Sequence, residues 1–279
     1  MILMCGDRPL DLSAPTIMGV VNVTPDSFSD GGRYLDADAA VAHGQRLAAE
    51  GAAILDVGGE STRPGAEEVG LEEELGRVIP VIERLNRSTA AIISVDTSKP
   101  EVMRAAAAAG AGLINDVRAL REPGALEAAV ETGCAVCLMH MLGQPRTMQH
   151  APAYRDVVNE VKAFLEERAQ VARAAGVAPE RIAIDPGFGF GKTLEHNLEL
   201  LRRLHELTRH TPGGAPIGPP VVAGLSRKSM IGKLTGRPEG DRVYGSIALA
   251  VIAYRKGARI IRVHDVAATV DALNVAAAV

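Results

Sequence analysis

The amino-acid sequence predicts an α/β protein built as one (β/α)₈ TIM barrel, and three observations support this fold class. Short apolar runs alternate with alanine-rich amphipathic stretches, in eight successive pairs. The runs are apolar almost throughout, which is typical of parallel strands buried on both faces. The chain has 279 residues, and a closed barrel typically needs ~250. We therefore expect a single domain over residues 1–279, and an open, doubly wound sheet is the alternative.

Run length and helical periodicity locate the individual elements. Strands are expected at 16–22, 53–56, 91–96, 112–115, 135–140, 181–185, 221–224 and 260–264. Helices are expected at 38–50, 71–86, 100–109, 123–132, 154–175, 194–208, 242–256 and 267–277. A hydroxyl at Thr97 or Ser98, ahead of Pro100, predicts one helix start. Helix ends that favour a left-handed residue are marked by Gly51, Gly110 and Gly176.

Two predicted loops are longer than a βα connection usually is. Residues 23–36 follow the first strand and residues 58–70 follow the second, against a usual length of about two to six residues. Both segments are rich in polar and turn-forming residues. Loops at the carboxyl ends of barrel strands hold lids and catalytic side chains. We therefore expect long, flexible loops above the first two strands.

Composition argues against several classes of protein. A net charge of −4 and a pI of about 6.0 do not suit a nucleic-acid-binding surface or a polybasic membrane patch. No apolar run reaches the ~20 residues of a membrane span, and the first residues lack a signal-peptide pattern, so a cytoplasmic protein is expected. Cys134 and Cys137 lie three apart on a predicted strand and face opposite sides, so they are not expected to share a metal.

Polar side chains stand where the predicted strands end: Asn22, Asp96, Asn115, Asp185, Arg262 and His264. The carboxyl ends of barrel strands meet at one face, so these groups are expected to form one site. Glycines after Asp185 let the backbone approach a flat ligand, and Phe188 and Phe190 are available to stack on it. Two acids would also suit a glycosidase. The glycine-rich turn instead favours a planar ligand, and a carboxylate can bind a ring that presents adjacent N–H donors.

Basic groups near the same ends predict an anionic part of the ligand. They are Arg63, Lys228, Arg262 and His264, with Arg227 and Lys192 as weaker candidates. Loops after strands seven and eight are the recurrent phosphate site of barrels. Asn22 could present a carbonyl oxygen to Mg²⁺, which shares its ligands with substrate phosphates. A P-loop is not expected although its Gly-Lys-Thr ending occurs at 191–193, because Pro186 stands where that motif requires glycine.

The motifs around these residues resemble those of the dihydropteroate synthase family of pterin-binding enzymes. The resemblance covers residues 17–266, and each motif lies at a predicted strand end or in the adjoining loop. The motifs are NVTPDSFSDGG (22–32), DVGGESTRPG (56–65), SVDTS (94–98), ND (115–116), DPGFGF (185–190), SRKS (226–229) and RVH (262–264). Any one motif is weak evidence, but all of them in this order are specific.

The resemblance implies a barrel enzyme, usually a homodimer, that joins para-aminobenzoate to (7,8-dihydropterin-6-yl)methyl diphosphate. Pyrophosphate leaves in a dissociative substitution, and 7,8-dihydropteroate forms for folate biosynthesis. Sulfonamides mimic para-aminobenzoate in this family. A pterin-binding methyltransferase domain is an alternative that would lack STRP (61–64) and SRK (226–228). A non-catalytic pterin-binding module is a second alternative, and it would not need Asn22 or His264.

The resemblance also assigns roles by position. Contacts to the pterin diphosphate are expected from Thr62, Arg63, Asp96, Asn115, Asp185, Phe190, Lys228, Arg262 and His264. The para-aminobenzoate pocket is expected to contain Phe28, Thr62, Pro64 and Ser226. Mg²⁺ would be bound through Asn22. The residues expected to act on the reaction itself are Asn22, Asp30, Arg63, Lys228, Arg262 and His264.

Overall fold

The computed structural model contains a ring of eight parallel strands, and it describes residues 1–23, 33–61, 68–143, 148, 152–208 and 218–279. The ring strands are β3 (Thr16–Asn22), β4 (Ile54–Gly58), β5 (Ile92–Asp96), β6 (Leu113–Asp116), β7 (Ala135–Met139), β8 (Ile182–Asp185), β9 (Val222–Gly224) and β10 (Ile260–Val263). Their order is β8-β7-β6-β5-β4-β3-β10-β9. A parallel bridge between Ile184 and Val221 closes the ring. The predicted barrel is confirmed, and the open sheet is not formed.

Helices follow the strands on the outside of the ring. They are α1 (Arg33–Ala49), α2 (Leu71–Ser88), α3 (Pro100–Ala108), α4 (Ala125–Thr132), α5 (Val157–Ala175), α6 (Leu194–Arg202), α7 (Ser229–Thr235), α8 (Val243–Arg255) and α9 (Val266–Ala278). Helix α6 ends earlier than predicted, and a 3₁₀ turn at Leu204–Glu206 follows it. In the described part of the chain, no helix is both long and apolar enough to cross a membrane.

One helix start differs from the predicted cap. The residue that precedes α3 is Lys99, and no side chain caps the helix there. The Thr97 hydroxyl instead accepts a hydrogen bond from the Lys99 backbone N–H. The three predicted glycine terminators are confirmed, because Gly51, Gly110 and Gly176 all have φ between 106° and 116°.

A short hairpin that sequence analysis did not predict closes the amino-terminal end of the barrel. It pairs β1 (Ile2–Cys5) with β2 (Arg8–Asp11) in antiparallel register. Leu3 and Leu12 are each 1% exposed and pack on the first residues of the barrel strands. The strands of this hairpin are only four residues long, which is too short for a clear alternation of apolar and polar residues in the sequence. Their burial comes from the barrel beneath them.

The inner face of the barrel changes from apolar to polar along the strands. Three successive inward-facing levels of β3, β4 and β5 are Met18–Ile54–Ile92, then Val20–Asp56–Ser94, then Asn22–Gly58–Asp96. The first level belongs to a buried apolar cluster that also contains Cys137, whereas Cys134 packs in the outer core. The two sulfurs therefore lie on opposite faces, as predicted. Polar groups are concentrated at the carboxyl-terminal mouth, where the predicted site lies.

Helix α2 shows how the outer shell is held. Its buried face contains Val78, Val81, Ile82 and Leu85, which pack on the outward-facing residues of β4 and β5. Burying each such side chain contributes about 1.5–3 kcal/mol. The Leu85 side chain also fills the space beside Gly44 of α1, where a Cβ would come within 2.8 Å of it. This packing fixes the strands whose ends carry the polar groups of the mouth.

Candidate active site

Arg262 lies at the centre of the first polar group at the mouth, which we call the Arg262 cluster (Asp56, Ser94, Asp96, Asn115 and Arg262). Its Nε donates to Asp56 Oδ2 at 2.6 Å, and its Nη2 donates to Asp96 Oδ2 at 2.8 Å. Asn115 Nδ2 donates to Asp56 Oδ2 at 3.0 Å, and Ser94 Oγ donates to Asp56 Oδ1 at 2.6 Å. Side chains from β4, β5, β6 and β10 are thereby joined in one network.

Two carboxylates share one guanidinium in this cluster. Burial raises the pKa of Asp96 to about 7, although Arg262 opposes the shift, and the nearby charge of Asp56 adds to it. Burial alone would lower the pKa of Arg262, but Asp56 and Asp96 more than reverse this and hold its pKa above the ordinary value. Asp96 is therefore the group of this cluster whose charge is least compensated.

Sequence analysis did not assign a role to Asp56, although the structure makes it the hub of the Arg262 cluster. The side chain is fully buried, and an unpaired buried carboxylate is costly. An acid in the middle of an apolar strand (Ile54–Gly58) was a signal that could have identified it. Asp56 holds Asn115 and Arg262 in place beneath the mouth.

The second polar group, the glycine-loop cluster (Asp185, residues 187–192 and Lys228), lies on the β8 and β9 side. Asp185 Oδ1 accepts a hydrogen bond of 2.7 Å from the Gly187 N–H. Lys228 Nζ donates to the Phe188 carbonyl and lies 4.7 Å from the centre of the Phe190 ring. Phe190, Asp185 and Lys228 therefore form a connected surface at the mouth.

Burial also shifts the pKa values of Asp185 and Lys228 in this cluster. Burial raises the pKa of Asp185, and the ammonium of Lys228 opposes that shift. Burial lowers the pKa of Lys228 to about 8, and the carboxylate of Asp185 opposes that shift. Strongly shifted groups that meet in one recess are typical of functional sites.

The two clusters face the same small region. Gly224 ends β9, and a Cβ placed on it would lie 3.8 Å from Arg262 Cβ and 3.9 Å from Asp185 Oδ2. Arg262 is also bonded to Asp96. Asp96, Asp185 and Arg262 are therefore close enough to contact one small molecule together, as the sequence analysis expected. A side chain at position 224 would occupy part of that space.

The turn after β9 brings two further predicted residues to the mouth. Arg227 has a left-handed backbone (φ 57°), which turns the chain sharply between Ser226 and Lys228. The Arg227 guanidinium binds both carboxylate oxygens of Asp265, at 3.1 and 2.6 Å. Ser226 Oγ lies 3.0 Å from His264 Nδ1 and accepts a hydrogen bond from the His264 N–H. The predicted pairing of Arg227 with an anionic ligand is therefore replaced by an internal ion pair.

Two further expectations are corrected. Phe188 is fully buried in the outer core and cannot stack on a ligand, because the glycines on either side turn it away from the mouth. Lys192 is only 3% exposed, and its ammonium donates to the carbonyls of Gly187 and Phe190. It does not face an anionic ligand.

The remaining site predictions fall into two groups. Asn22 ends β3 at the same level as Asp96 and is half-buried. Its side-chain amide makes no hydrogen bond within the part of the chain that the structure describes. The other group lies outside the described residues and consists of Phe28, Asp30, Thr62, Arg63 and Pro64.

A partly buried ion-pair network includes Glu60, which lies just before residues 62–67 in the sequence. Lys99 Nζ donates to Glu60 Oε2 and to Glu74 Oε2, both at 2.5 Å. Burial works against the Lys99 charge, but these two carboxylates outweigh it and raise its pKa. Glu74 is fully buried, so Lys99 neutralises a charge that solvent does not reach. Lys99 thereby connects the end of the β4 segment to α2 and to the loop after β5, beside a cavity of about 210 Å³.

Comparison with known proteins places these features in a family. A family model described as pterin binding enzyme matches residues 18–264. The dihydropteroate synthase of Escherichia coli K12 is 54% identical over 275 residues, which are 99% of this chain and 95% of that protein. The Xanthomonas albilineans dihydropteroate synthase with 4-aminobenzoic acid has a TM-score of 0.92 and 58% identity, with 99% of this chain and 97% of that chain covered. A structure of the same organism's enzyme with 7,8-dihydropteroate has a TM-score of 0.89 and 55% identity, with 100% and 98% covered.

Proposed function

This chain belongs to the pterin-binding enzyme family, and from that premise we propose that it catalyses the dihydropteroate synthase reaction. It is a transferase that condenses para-aminobenzoate with (7,8-dihydropterin-6-yl)methyl diphosphate. The observation that carries the proposal is the convergence of Asp96, Asp185, Lys228 and Arg262 at one mouth. Its relatives at about half identity or more have the same activity in their names, and they cover nearly the whole chain.

The ring of the pterin would be held by the two clusters together. Pterin carries adjacent ring N–H and amino donors, which match carboxylate and amide oxygens. Asp185 and Asp96 present such oxygens, and Asn115 presents an amide beside them. Lys228 lies over the Phe190 ring at the edge of the same recess. Side chains at Gly224 and Gly189 would narrow this recess, because a Cβ would lie 3.9 Å from Asp185 Oδ2 at the first position and 3.3 Å from Lys228 at the second.

The reaction breaks the bond between the pterin methylene carbon and the diphosphate oxygen. The electron pair leaves with the diphosphate, and the methylene becomes electron-poor. The amine nitrogen of para-aminobenzoate then forms the new C–N bond and loses a proton. Arg262, with His264 beside it, would stabilise the departing oxyanion, while the carboxylates of the ring site would favour the cation. Aligned donors of this kind typically contribute ~10²–10³ in rate.

The amine is a neutral nucleophile, so orientation matters more than removal of its proton. Ser226 lies in the turn after β9, next to His264, and would contribute to the para-aminobenzoate pocket together with Phe28 and Pro64. Thr62, Arg63 and Asp30 would complete the site from the two long loops. Exclusion of water by those loops would protect the electron-poor methylene from hydrolysis.

Mg²⁺ is proposed as the cofactor on the diphosphate. Among the described residues, no group of three or more His, Cys, Asp or Glu side chains could hold a metal ion. Asn22 nevertheless fits a shared site, because its amide is half-buried at the mouth and is not used by the described residues. Mg²⁺ commonly takes one protein ligand, several waters and substrate phosphates. When bound, it would neutralise charge on the leaving diphosphate.

A homodimer is proposed from the outer faces of α8 and α9. Large apolar residues are exposed there, namely Tyr244 (81%), Ile252 (41%) and Val275 (68%). Exposed apolar patches of this kind mark contacts with other proteins, and isologous pairing of two copies is the commonest case. Sedimentation of the wild type and of Val275→Asp, in which a charge would enter the patch, tests the proposal. A wild-type monomer at micromolar concentration contradicts it.

We also propose a cytoplasmic location.

The test of the reaction is release of pyrophosphate. Purified protein is incubated with both substrates and Mg²⁺, and pyrophosphate and 7,8-dihydropteroate are measured together. Equal amounts of the two products are expected, and omission of para-aminobenzoate should abolish the dihydropteroate. A sulfonamide should inhibit competitively with para-aminobenzoate. Pterin binding without either product would instead indicate a non-catalytic module, and methyl transfer to or from the pterin would indicate a methyltransferase.

A further inference from the structure

Lys192 is a buried lysine that the proposed reaction does not use. It follows the glycine-rich stretch after β8, and only 3% of its surface is exposed. Its Nζ lies 2.9 Å from the Gly187 carbonyl, 3.0 Å from the Phe190 carbonyl and 2.9 Å from His140 Nδ1. These three nearest acceptors match the three N–H groups of an ammonium, and the His140 carbonyl lies farther away at 3.5 Å. The lysine therefore folds back onto its own loop, whereas a P-loop lysine faces a phosphate.

The His140 partner allows this arrangement to tolerate a change of protonation. Burial and the charge of Lys192 lower the pKa of His140 to about 3, so its ring is neutral. Burial lowers the pKa of Lys192 to about 7, against the opposing charge of Asp185. As an ammonium, Lys192 donates to a bare Nδ1. As an amine, it can accept from the other His140 tautomer while it still donates to both carbonyls.

The loop that Lys192 holds carries the ring site. The Gly187 N–H donates to Asp185, and the Phe188 carbonyl accepts from Lys228. The loop is also pressed against the end of β7, because a Cβ on Gly187 would lie 1.9 Å from the His140 carbonyl. The His140 N–H in turn donates to the Asp185 carbonyl at 3.0 Å. Two carbonyls of the loop thus bond inward to Lys192, while the Phe188 carbonyl between them accepts from Lys228 at the mouth.

We propose that Lys192 is a positioning residue that fixes the 187–191 loop so that Asp185, Phe190 and Lys228 hold the pterin ring. The inference rests on the proposed function for its substrate. Lys192 contacts no ligand itself, and its effect is transmitted through two carbonyls and His140. Loss of its N–H donors should therefore weaken binding of the pterin ring and leave binding of para-aminobenzoate little changed.

The test compares Lys192→Met, which keeps chain length without a donor, with Lys233→Met, which removes an exposed lysine of α7. Removing the partner of buried polar groups typically costs about 1–3 kcal/mol, which corresponds to roughly 5- to 150-fold in affinity. We expect Lys192→Met to raise the KM for the pterin substrate and the Kd for 7,8-dihydropteroate by such a factor. The KM for para-aminobenzoate should change less than about twofold, and Lys233→Met should match the wild type in both.

A second variant keeps the test decisive if Lys192→Met does not fold, as judged by circular dichroism. His140→Phe removes one of the three acceptors and should produce the same selective loss to a smaller degree. Unchanged pterin affinity in the folded variants, or an equal rise in both KM values, overturns the proposal. The Kd is measured without turnover. If the wild type binds 7,8-dihydropteroate but does not synthesise it, the proposed reaction is contradicted, whereas the proposal for Lys192 is still decided by the Kd values.

Discussion

The two polar clusters at the mouth of the barrel hold buried charge in opposite ways. In the Arg262 cluster, one guanidinium lies between two carboxylates that come from neighbouring strands. In the glycine-loop cluster, two ammonium groups share one carboxylate, and most of their hydrogen bonds go to backbone carbonyls. The first cluster has an excess of negative charge and the second has an excess of positive charge.

The difference shows how each side controls geometry. Asp56, Asp96 and Arg262 are fixed by regular strand pairing, so their positions follow from the ladder of the barrel. Asp185 also ends a paired strand, but Phe190 and Lys228 beside it lie outside the strands, in segments whose shape has to be held by other contacts. The pKa of the least compensated group moves toward neutrality on each side, since Asp96 rises to about 7 and Lys192 falls to about 7, with Lys228 at about 8. Burial is the largest cause of the pKa shift on both sides, and the charged partners of each group oppose part of it.

Arg262→Met should produce the largest change, because it leaves two buried carboxylates without their cation. Breaking a buried ion pair typically costs about 3–5 kcal/mol of stability, and loss of an aligned donor should lower kcat by ~10²–10³. Urea unfolding and steady-state kinetics measure the two effects. Arg87→Met, at an exposed side chain (76%), is the matched control. A kcat within a few fold of the wild type would contradict the role of Arg262.

Asp185→Asn should have the next largest effect and should act on the ring. The substitution keeps the shape of the side chain but removes its charge, and a hydrogen bond to a charged group is worth about 1.5–3 kcal/mol. The Kd for a pterin ligand should rise by roughly ten- to a hundredfold. Calorimetry with the variant and the wild type measures this. Unchanged affinity would show that Asp185 does not bind the ring.

The fall of kcat/KM at alkaline pH should report the loss of the proton of Lys228. Its pKa is lowered to about 8 by burial, with Asp185 opposing, so the ammonium is present below pH 8 and is lost as the pH rises through that value. We expect kcat/KM for the pterin substrate to fall several-fold between pH 7 and 9.5. Lys228→Arg, which stays charged, should have lower activity but no such fall. If the fall persists unchanged in Lys228→Arg, another group is responsible for it.

The smallest effect is expected in the pH dependence of stability at Asp96. Its folded pKa of about 7 lies above its ordinary value of 3.8, so the folded protein retains a proton that the unfolded chain loses. This contribution is fully present below pH 3.8 and is lost as the pH rises through 7. An asparagine side chain cannot lose a proton, so Asp96→Asn removes this contribution. The Tm of the variant relative to that of the wild type should therefore rise by a few degrees as the pH increases from 4 to 8. Thermal unfolding across this range is the measurement, and a constant difference in Tm would contradict the shift.

Much of the fold and part of the site could be predicted from the sequence. Alternating apolar runs and amphipathic stretches specify local structure, and parallel strands in a barrel bring their polar ends to one face. That reasoning located Asp96, Asn115, Asp185 and Arg262 at the mouth. It did not find the hairpin β1–β2, which is buried only because the barrel lies beneath it. It also expected Phe188 at the ligand, since sequence does not show which way a left-handed glycine turn sends its neighbour.

By itself, the sequence determined the order of strands and helices, and with it which residues stand at strand ends, because periodicity and turn chemistry are local properties. Only the tertiary structure decided which groups became partners. Asp56 and Arg262 are 206 positions apart, and they meet because the closed ring brings β4 and β10 to either side of β3. Lys192 turns inward for a similar reason: the carbonyls of a folded loop and the ring of His140 form a better site for its N–H groups than the open mouth does.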